Sequence, residues 1–208
     1  MFSHPLTRRP LIGALLVLAT AVCGPAGADE GAAPPGAVVR ETVDAIVAVL
    51  GDESLSDTAR RRQAHRIIAT RFDFTAMSSH VLATNWNKAS SEQQRRFTAL
   101  FRELLSNTYW RRISRYSNET VDYTGEQLRS DKLATVNTVI RTSSADIPVD
   151  YKLYLREDRW MAYDVVIEQM SLVRNYRTNF QDLVNRAGID GLIADLETKV
   201  AASATPRS

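Results

Sequence analysis

A change of hydrophobic period midway along the chain constrains its fold more than any other feature. Ile147, Val149, Tyr151, Leu153 and Leu155 alternate with Pro148, Asp150, Lys152, Tyr154 and Arg156. Period 2 places the first set on one face of a strand. Segments near 119–125, 132–143 and 159–168 are equally rich in Val, Thr, Tyr and Ile. In the last of them Met161, Tyr163, Val165 and Ile167 are expected on one face. The intervening residues, 126–131, 143–146 and 157–158, fall short of the dozen or so that a parallel crossover requires. Four strands in an antiparallel meander are therefore expected.

Ahead of the strands the period is helical. Val39, Val43, Ile46 and Leu50 recur at helix spacing, and Gly51 ends the run. Asp57 is positioned to cap a second, basic helix through Ile67 and Ile68. Phe72, Asp73 and Phe74 lead into a short helix carrying Met77, Val81 and Leu82. Ser90 and Gln93 form a capping box, and behind it Phe97, Leu100, Phe101, Leu104, Leu105 and Thr108 make a broad apolar stripe. After the strands, Ser171 is expected to cap a helix from Leu172 to Ala187, stopped by Gly188, and Asp190 starts a last one. Helices, a meander, then helices again describe an α+β fold with a four-stranded sheet packed by helices from both ends of the chain.

The ends do not belong to that fold. Arg8 and Arg9, an apolar run from Leu11 to Val22 and the small residues Ala26, Gly27 and Ala28 have the layout of a secretory signal peptide. Residues 1–28 are read as that leader, cleaved before Asp29, and the mature chain as exported. The apolar run is too short for the ~20 residues of a membrane span. Residues 29–36 form a flexible lead-in, 37–200 a single domain and 201–208 a flexible tail. Loss of Arg8 and Arg9 leaves 24 basic residues against 24 acidic ones, and a neutral chain is poorly suited to nucleic acid. The single cysteine, Cys23, lies in the leader behind the branched Val22, which argues against a lipoprotein box. A mature chain without cysteine has no disulfide and no thiolate metal site.

No catalytic or metal-binding motif occurs: HExxH, GxSxG, the P-loop and GxGxxG are all missing, so no enzyme, metal or cofactor is expected. Asp73 and His80 read as a capping residue and a partly exposed ring rather than an acid–base pair. Asp164, inside an apolar strand, must find partners, and an ion pair with an arginine is expected.

Residues 168–180, EQMSLVRNYRTNF, resemble the E-G-x-S-L-V-x-N-Y-R-x-Q/E-F signature of the toluene-tolerance (MlaC) family of periplasmic phospholipid-binding proteins. Phe72-Asp73-Phe74 with Met77, Val81, Leu82 and Trp86 is similar to the family's F-D-F-x-x-M…V-L-G-x-x-W. The stretches Phe97 to Tyr109, Trp160 to Asp164 and Gly188 to Leu192 resemble further family motifs, in the same order. Three positions depart from the pattern: Gln169 and Ala83 stand where the family has glycine, and Asn179 where it has Gln or Glu. The resemblance implies an NTF2-like cone with an apolar cavity. It also implies a phospholipid shuttle between an outer-membrane lipoprotein–porin complex and the inner-membrane MCE-domain ring of an ABC transporter, maintaining outer-membrane lipid asymmetry.

Burying a methylene is worth about 0.8 kcal/mol, so a two-chain lipid needs roughly 20 kcal/mol of shielding to cross water. An apolar pocket without ionisable groups would supply it. The side chains expected against the tails are Val149, Tyr151, Leu153, Val165 and Ile167 from the sheet, and Leu104, Leu105, Tyr109, Met170, Tyr176 and Phe180 from the helices. Each would serve equally in a packed core, and Phe97, Phe101, Leu183 and Leu192 suit that better. Arg111 and Arg115 continue the stripe of Phe97 and Leu104, either as a headgroup site at a cavity mouth or as cations at a helix C-terminus. Arg177 is read as structural, bonding carbonyls or Asp164. An exported assembly or protein-interaction factor with a solid core and no lipid cavity remains the alternative.

Overall fold

The alternating segments pair into one antiparallel sheet of order β1-β2-β3-β4-β5: Thr120–Ser130, Leu133–Arg141, Asp146–Arg156, Arg159–Ile167 and Met170–Ser171. This computed structural model describes residues 32–114 and 119–204, without the side chains of Arg111, Arg112 and Ala204. The leader, Arg115 and residues 205–208 lie outside the described residues.

Cross-strand register builds the apolar face in rows. Val121 pairs with Ile140 and Ile140 with Ile147, while Thr138 pairs with Val149 and Val149 with Ile167. Val136, Tyr151 and Val165 form the next row, and Ala134, Leu153 and Ala162 the last.

Three details of the sheet correct the sequence reading. The sheet has five strands rather than four, because Glu168 and Gln169 turn the chain back and Met170 pairs with Ile167. A two-residue strand is too short to show a period. β1 runs on to Ser130, where a connection was expected; register shifts between Tyr123 and Gly125 and between Leu128 and Ser130 hide its alternation. β4 carries a bulge, since Lys152 pairs with Asp164 but Leu153 pairs with Ala162, which leaves Tyr163 out of the ladder. A one-residue slip exchanges the faces. Ala162, not Met161 or Tyr163, therefore continues the face of Val165, and Met161 pairs with Tyr154 on the opposite side.

Five α-helices surround the sheet: α1 Pro35–Gly51, α2 Asp57–Arg71, α3 Phe74–Leu82, α4 Ser91–Ile113 and α5 Leu172–Ala204. A 3-10 helix, Ala83–Lys88, links α3 to α4. The caps follow the local chemistry. Ser90 and Gln93 exchange hydrogen bonds of 2.8 and 3.1 Å, the expected capping box. The Ser171 hydroxyl accepts from the Arg174 amide at 3.1 Å to start α5. The α2 cap is Ser56, accepting from the Ala59 amide, and Asp57 is the first helical residue. Gly188, at φ 68° and ψ −173°, breaks α5 where one helix was expected to stop and another to begin. Two of the family's glycine positions hold left-handed backbone here without glycine: Ala83 at φ 50° and Gln169 at φ 68°.

α3, α4 and α5 form a helical core around Met77, Phe97, Phe101, Leu192 and Leu196, with Leu183 packed on it. Phe97 and Phe101 stack at 5.7 Å, and Phe180 and Tyr176 meet the Phe101 ring edge-on at 6.3 and 5.2 Å.

Candidate functional site

Beside that core the apolar rows of the sheet face a cavity of about 910 Å³, which Met77 and Leu105 of the core also line. The far wall is the hydrophobic stripe of α1, where Val39, Val43, Ile46 and Leu50 repeat at helix spacing together with Val38, Thr42 and Val47. Ile68 and Ala69 of α2, Leu105, Tyr109, Trp110 and Ile113 of α4, and Leu172 at the start of α5 complete it. Next to the cavity the wall closes into a packed apolar cluster, where Val38 and Val39 join Ala134, Val136, Leu153, Trp160 and Ala162. At about 30 Å³ per water-sized group, the space accommodates roughly 30 of them.

Of the eleven tail-facing residues expected from sequence, seven line this cavity: Leu105, Tyr109, Val149, Tyr151, Leu153, Val165 and Ile167. The other four lie elsewhere. Phe180 is buried in the helical core with Leu104 and Tyr176 packed against that core, and Met170 is 57% exposed on β5. A helix stripe read from sequence does not say which neighbour each residue meets, and α4 divides its stripe between two. Phe97 and Phe101 are wholly in the helical core, while Leu105 and Tyr109 touch that core and also line the cavity. The α1 residues were missed as a wall, although their spacing had identified the helix. For the headgroup candidates, Arg115 and the Arg111 side chain lie outside the described residues.

The rim of the cavity becomes polar along α2 and α4. Arg61, Arg62, His65 and Arg66 of α2 and Arg102, Glu103 and Ser106 of α4 line it there. α2 packs closely on α1. It reaches α4 through the small cluster of Leu50, Ala64 and Trp110 and through two polar bridges. His65 Nε2 and Ser106 Oγ are 2.6 Å apart, and Arg61 donates to Asn107 Oδ1. The edge of the His65 ring meets Trp110 at 6.0 Å. Burial, with the Arg61 and Arg102 charges beside it, holds the His65 pKa below 6.5.

On the opposite face of the sheet the carboxylates are structural. Asp73 caps α3 by accepting from the Ala76 amide at 2.8 Å, and it also binds the Tyr154 hydroxyl and Arg156. Burial pushes its pKa up, but these partners outweigh that and hold it below the ordinary carboxylate value. Burial and the Asp73 charge push the Tyr154 phenol up to about 12. Asp164 finds a lysine rather than the expected arginine: Lys152 at 3.1 Å, with Ser171 Oγ at 2.7 Å and the Val173 amide at 3.1 Å. The bulge at Tyr163 sets Lys152 directly across from it. Arg177 donates to the His80 carbonyl at 2.8 Å. Among the described residues, no group of three or more His, Cys, Asp or Glu is placed to hold a metal. No described helix is long and apolar enough to cross a membrane.

Comparison with known proteins matches this arrangement to one family. The family model described as MlaC protein matches residues 40–198. The intermembrane phospholipid transport system binding protein MlaC of Haemophilus influenzae is 26% identical over 125 residues, which is 57% of this chain and 58% of that protein. Toluene tolerance protein ttg2D of Pseudomonas putida is 25% identical over 128 residues, 61% of this chain and 60% of that protein. The matched stretches thus span under two thirds of these relatives. A phospholipid-binding protein from Ralstonia solanacearum, solved in complex with a phospholipid, shares the fold with a TM-score of 0.76 at 23% identity. That likeness covers 83% of this chain and all of the other. The family model spans every element from α1 to α5, and the chain belongs to the MlaC family.

Proposed function

We propose that this protein is a periplasmic phospholipid carrier whose NTF2-like cone holds the acyl tails in the cavity between the sheet and α1. The observation that carries the proposal is the cavity itself. A space of about 910 Å³ walled by Val43, Ile46, Val149, Tyr151, Val165 and Ile167 is poorly suited to a solid-core assembly factor. It matches the roughly thirty methylenes of a two-chain lipid, each worth about 0.8 kcal/mol when shielded from water. A binding protein of an intermembrane phospholipid transport system is among the relatives. The functional unit is the single domain over residues 37–200, exported by the leader 1–28. It works as a non-enzymatic shuttle between an outer-membrane lipoprotein–porin complex and the MCE-domain ring of an inner-membrane ABC transporter, with phospholipid as cargo.

In this proposal the cargo is carried unchanged, so catalysis in the chemical sense plays no part in it. The wall excludes water from the tails, and the headgroup lies at the polar rim. A vesicle-to-vesicle transfer assay tests the reading. Protein should accelerate movement of labelled phospholipid between donor and acceptor vesicles in proportion to its concentration. Transfer at the spontaneous rate would refute the carrier role.

A further inference from the structure

We propose that the seam between α2 and α4 is a phosphodiester-binding subsite, with Arg61 and Arg102 holding the phosphate of the bound lipid beside His65. The inference rests on the carrier reading and adds to it the chemical group that is recognised. Three observations converge on this place. First, the cavity wall changes character here, from the aliphatic faces of α1 and the sheet to Arg61, His65, Arg102 and Ser106. A lipid with its tails against Val149 and Val165 has its first polar group at such a boundary. Second, the His65–Ser106 contact joins the two helices one turn from each arginine, since Arg61 precedes His65 by four residues on α2 and Arg102 precedes Ser106 by four on α4. Third, the charge is not neutralised locally. Among the described residues, Arg61, Arg62, Arg66 and Arg102 make no ion pair, although Arg95, Arg96, Arg141 and Arg156 elsewhere do. Glu103 of α4 lines the cavity beside them and enters no ion pair among the described residues, while Glu119 and Glu168 line it from outside these two helices.

The seam is also built rather than incidental. Asn107, buried on α4, accepts from Arg61 and donates to Ser203 Oγ at 2.7 Å, so the Arg61 fork is positioned. The His65–Ser106 bond fixes the ring against α4. Guanidinium forks match phosphate oxygens in pairs, and a phosphodiester carries one negative charge. Such a site reads the group common to all phospholipids and not the alcohol beyond it. It therefore separates phospholipid from neutral diacylglycerol without separating phosphatidylethanolamine from phosphatidylglycerol.

The test titrates delipidated full-length protein with phosphatidylethanolamine, phosphatidylglycerol and diacylglycerol of identical tails. Wild type should bind the two phospholipids alike and diacylglycerol about tenfold more weakly, equivalent to about 1.4 kcal/mol. The double variant R61Q/R102Q should lose about that factor for both phospholipids and leave diacylglycerol unchanged. Arg102→Gln alone, at an exposed side chain without an ion pair among the described residues, should give a smaller loss of the same kind and covers the case of a misfolded double variant. Inorganic phosphate and soluble glycerophosphoethanolamine, at concentrations matching the lipid, should displace nothing. Displacement by inorganic phosphate would assign the seam to free anions and overturn the lipid assignment. Equal binding of diacylglycerol and phospholipid by wild type, or discrimination surviving in both variants, would overturn the subsite and leave the carrier intact. Binding of no lipid at all would overturn both.

Discussion

Replacing Val43 by Phe tests whether the space between α1 and the sheet holds acyl chain. Val43 is a half-buried residue on the cavity side of α1. The substitution adds four carbons to a wall that faces a space of about 910 Å³. If tails fill that space, the ring displaces about four methylenes, and at about 0.8 kcal/mol each the loss approaches 3.2 kcal/mol, or roughly 200-fold in affinity. A tail that slides toward the rim recovers part of this, so the figure is an upper bound. Lipids four or more methylenes shorter should bind Val43→Phe as they bind wild type. A chain-length series in an equilibrium displacement assay reads the effect directly, with thermal melting of the lipid-free protein as control. A packed core would behave in the opposite way: overpacking would cost about 1–3 kcal/mol of stability, with no dependence on tail length. A Val43→Phe protein that melts early and treats long and short lipids alike would refute the cavity argument.

Leu153→Glu sets a carboxylate at a cavity-lining site that is 2% exposed, and it should abolish lipid loading; a folded variant that still carries lipid would refute the facing of β3. Ala83 sits at φ 50° and ψ −124°, a region costing a side chain about 1–2 kcal/mol. Ala83→Gly should relieve that strain, less about 0.4–1 kcal/mol for the freer unfolded chain, and raise the melting temperature by about 1–4 °C. A lower melting temperature would show the strain to be absent. Burial, with Arg61 and Arg102, depresses His65 below 6.5, so the unfolded chain takes up the proton first and the contribution of His65 to stability is present above pH 6.5 and lost as pH falls through its folded pKa. Melting temperature should fall between pH 7.5 and 5.5 more steeply for wild type than for His65→Gln, and parallel profiles would contradict this.

How much of the molecule could be read from its sequence depends on how local the determining contacts are. The alternation of Val149, Tyr151 and Leu153 is a property of one strand, and it placed these residues on the cavity face without further help. The capping box at Ser90 and Gln93 was legible for the same reason. The partner of Asp164 was not, because Lys152 stands across from it only once the bulge at Tyr163 shifts the register. Leu104 and Leu105 are neighbours on one helix stripe and both touch the helical core, yet of the two Leu105 alone also lines the cavity. That choice is made by the placement of α5 and α1 around α4, which no window of sequence contains. The sequence marks α2 as a basic helix, and only the meeting of α2 with α4 brings Arg61 and His65 to the rim.

The carrier role stands or falls most directly on what the protein contains when it leaves the cell. Purification without detergent, followed by organic extraction, lipid mass spectrometry and phosphorus assay, measures that content. The account predicts close to one phospholipid per protein in wild type, with none retained by Leu153→Glu folded to the same melting temperature. Wild-type protein free of lipid phosphorus, and slow to take up phospholipid when vesicles are supplied, would contradict it.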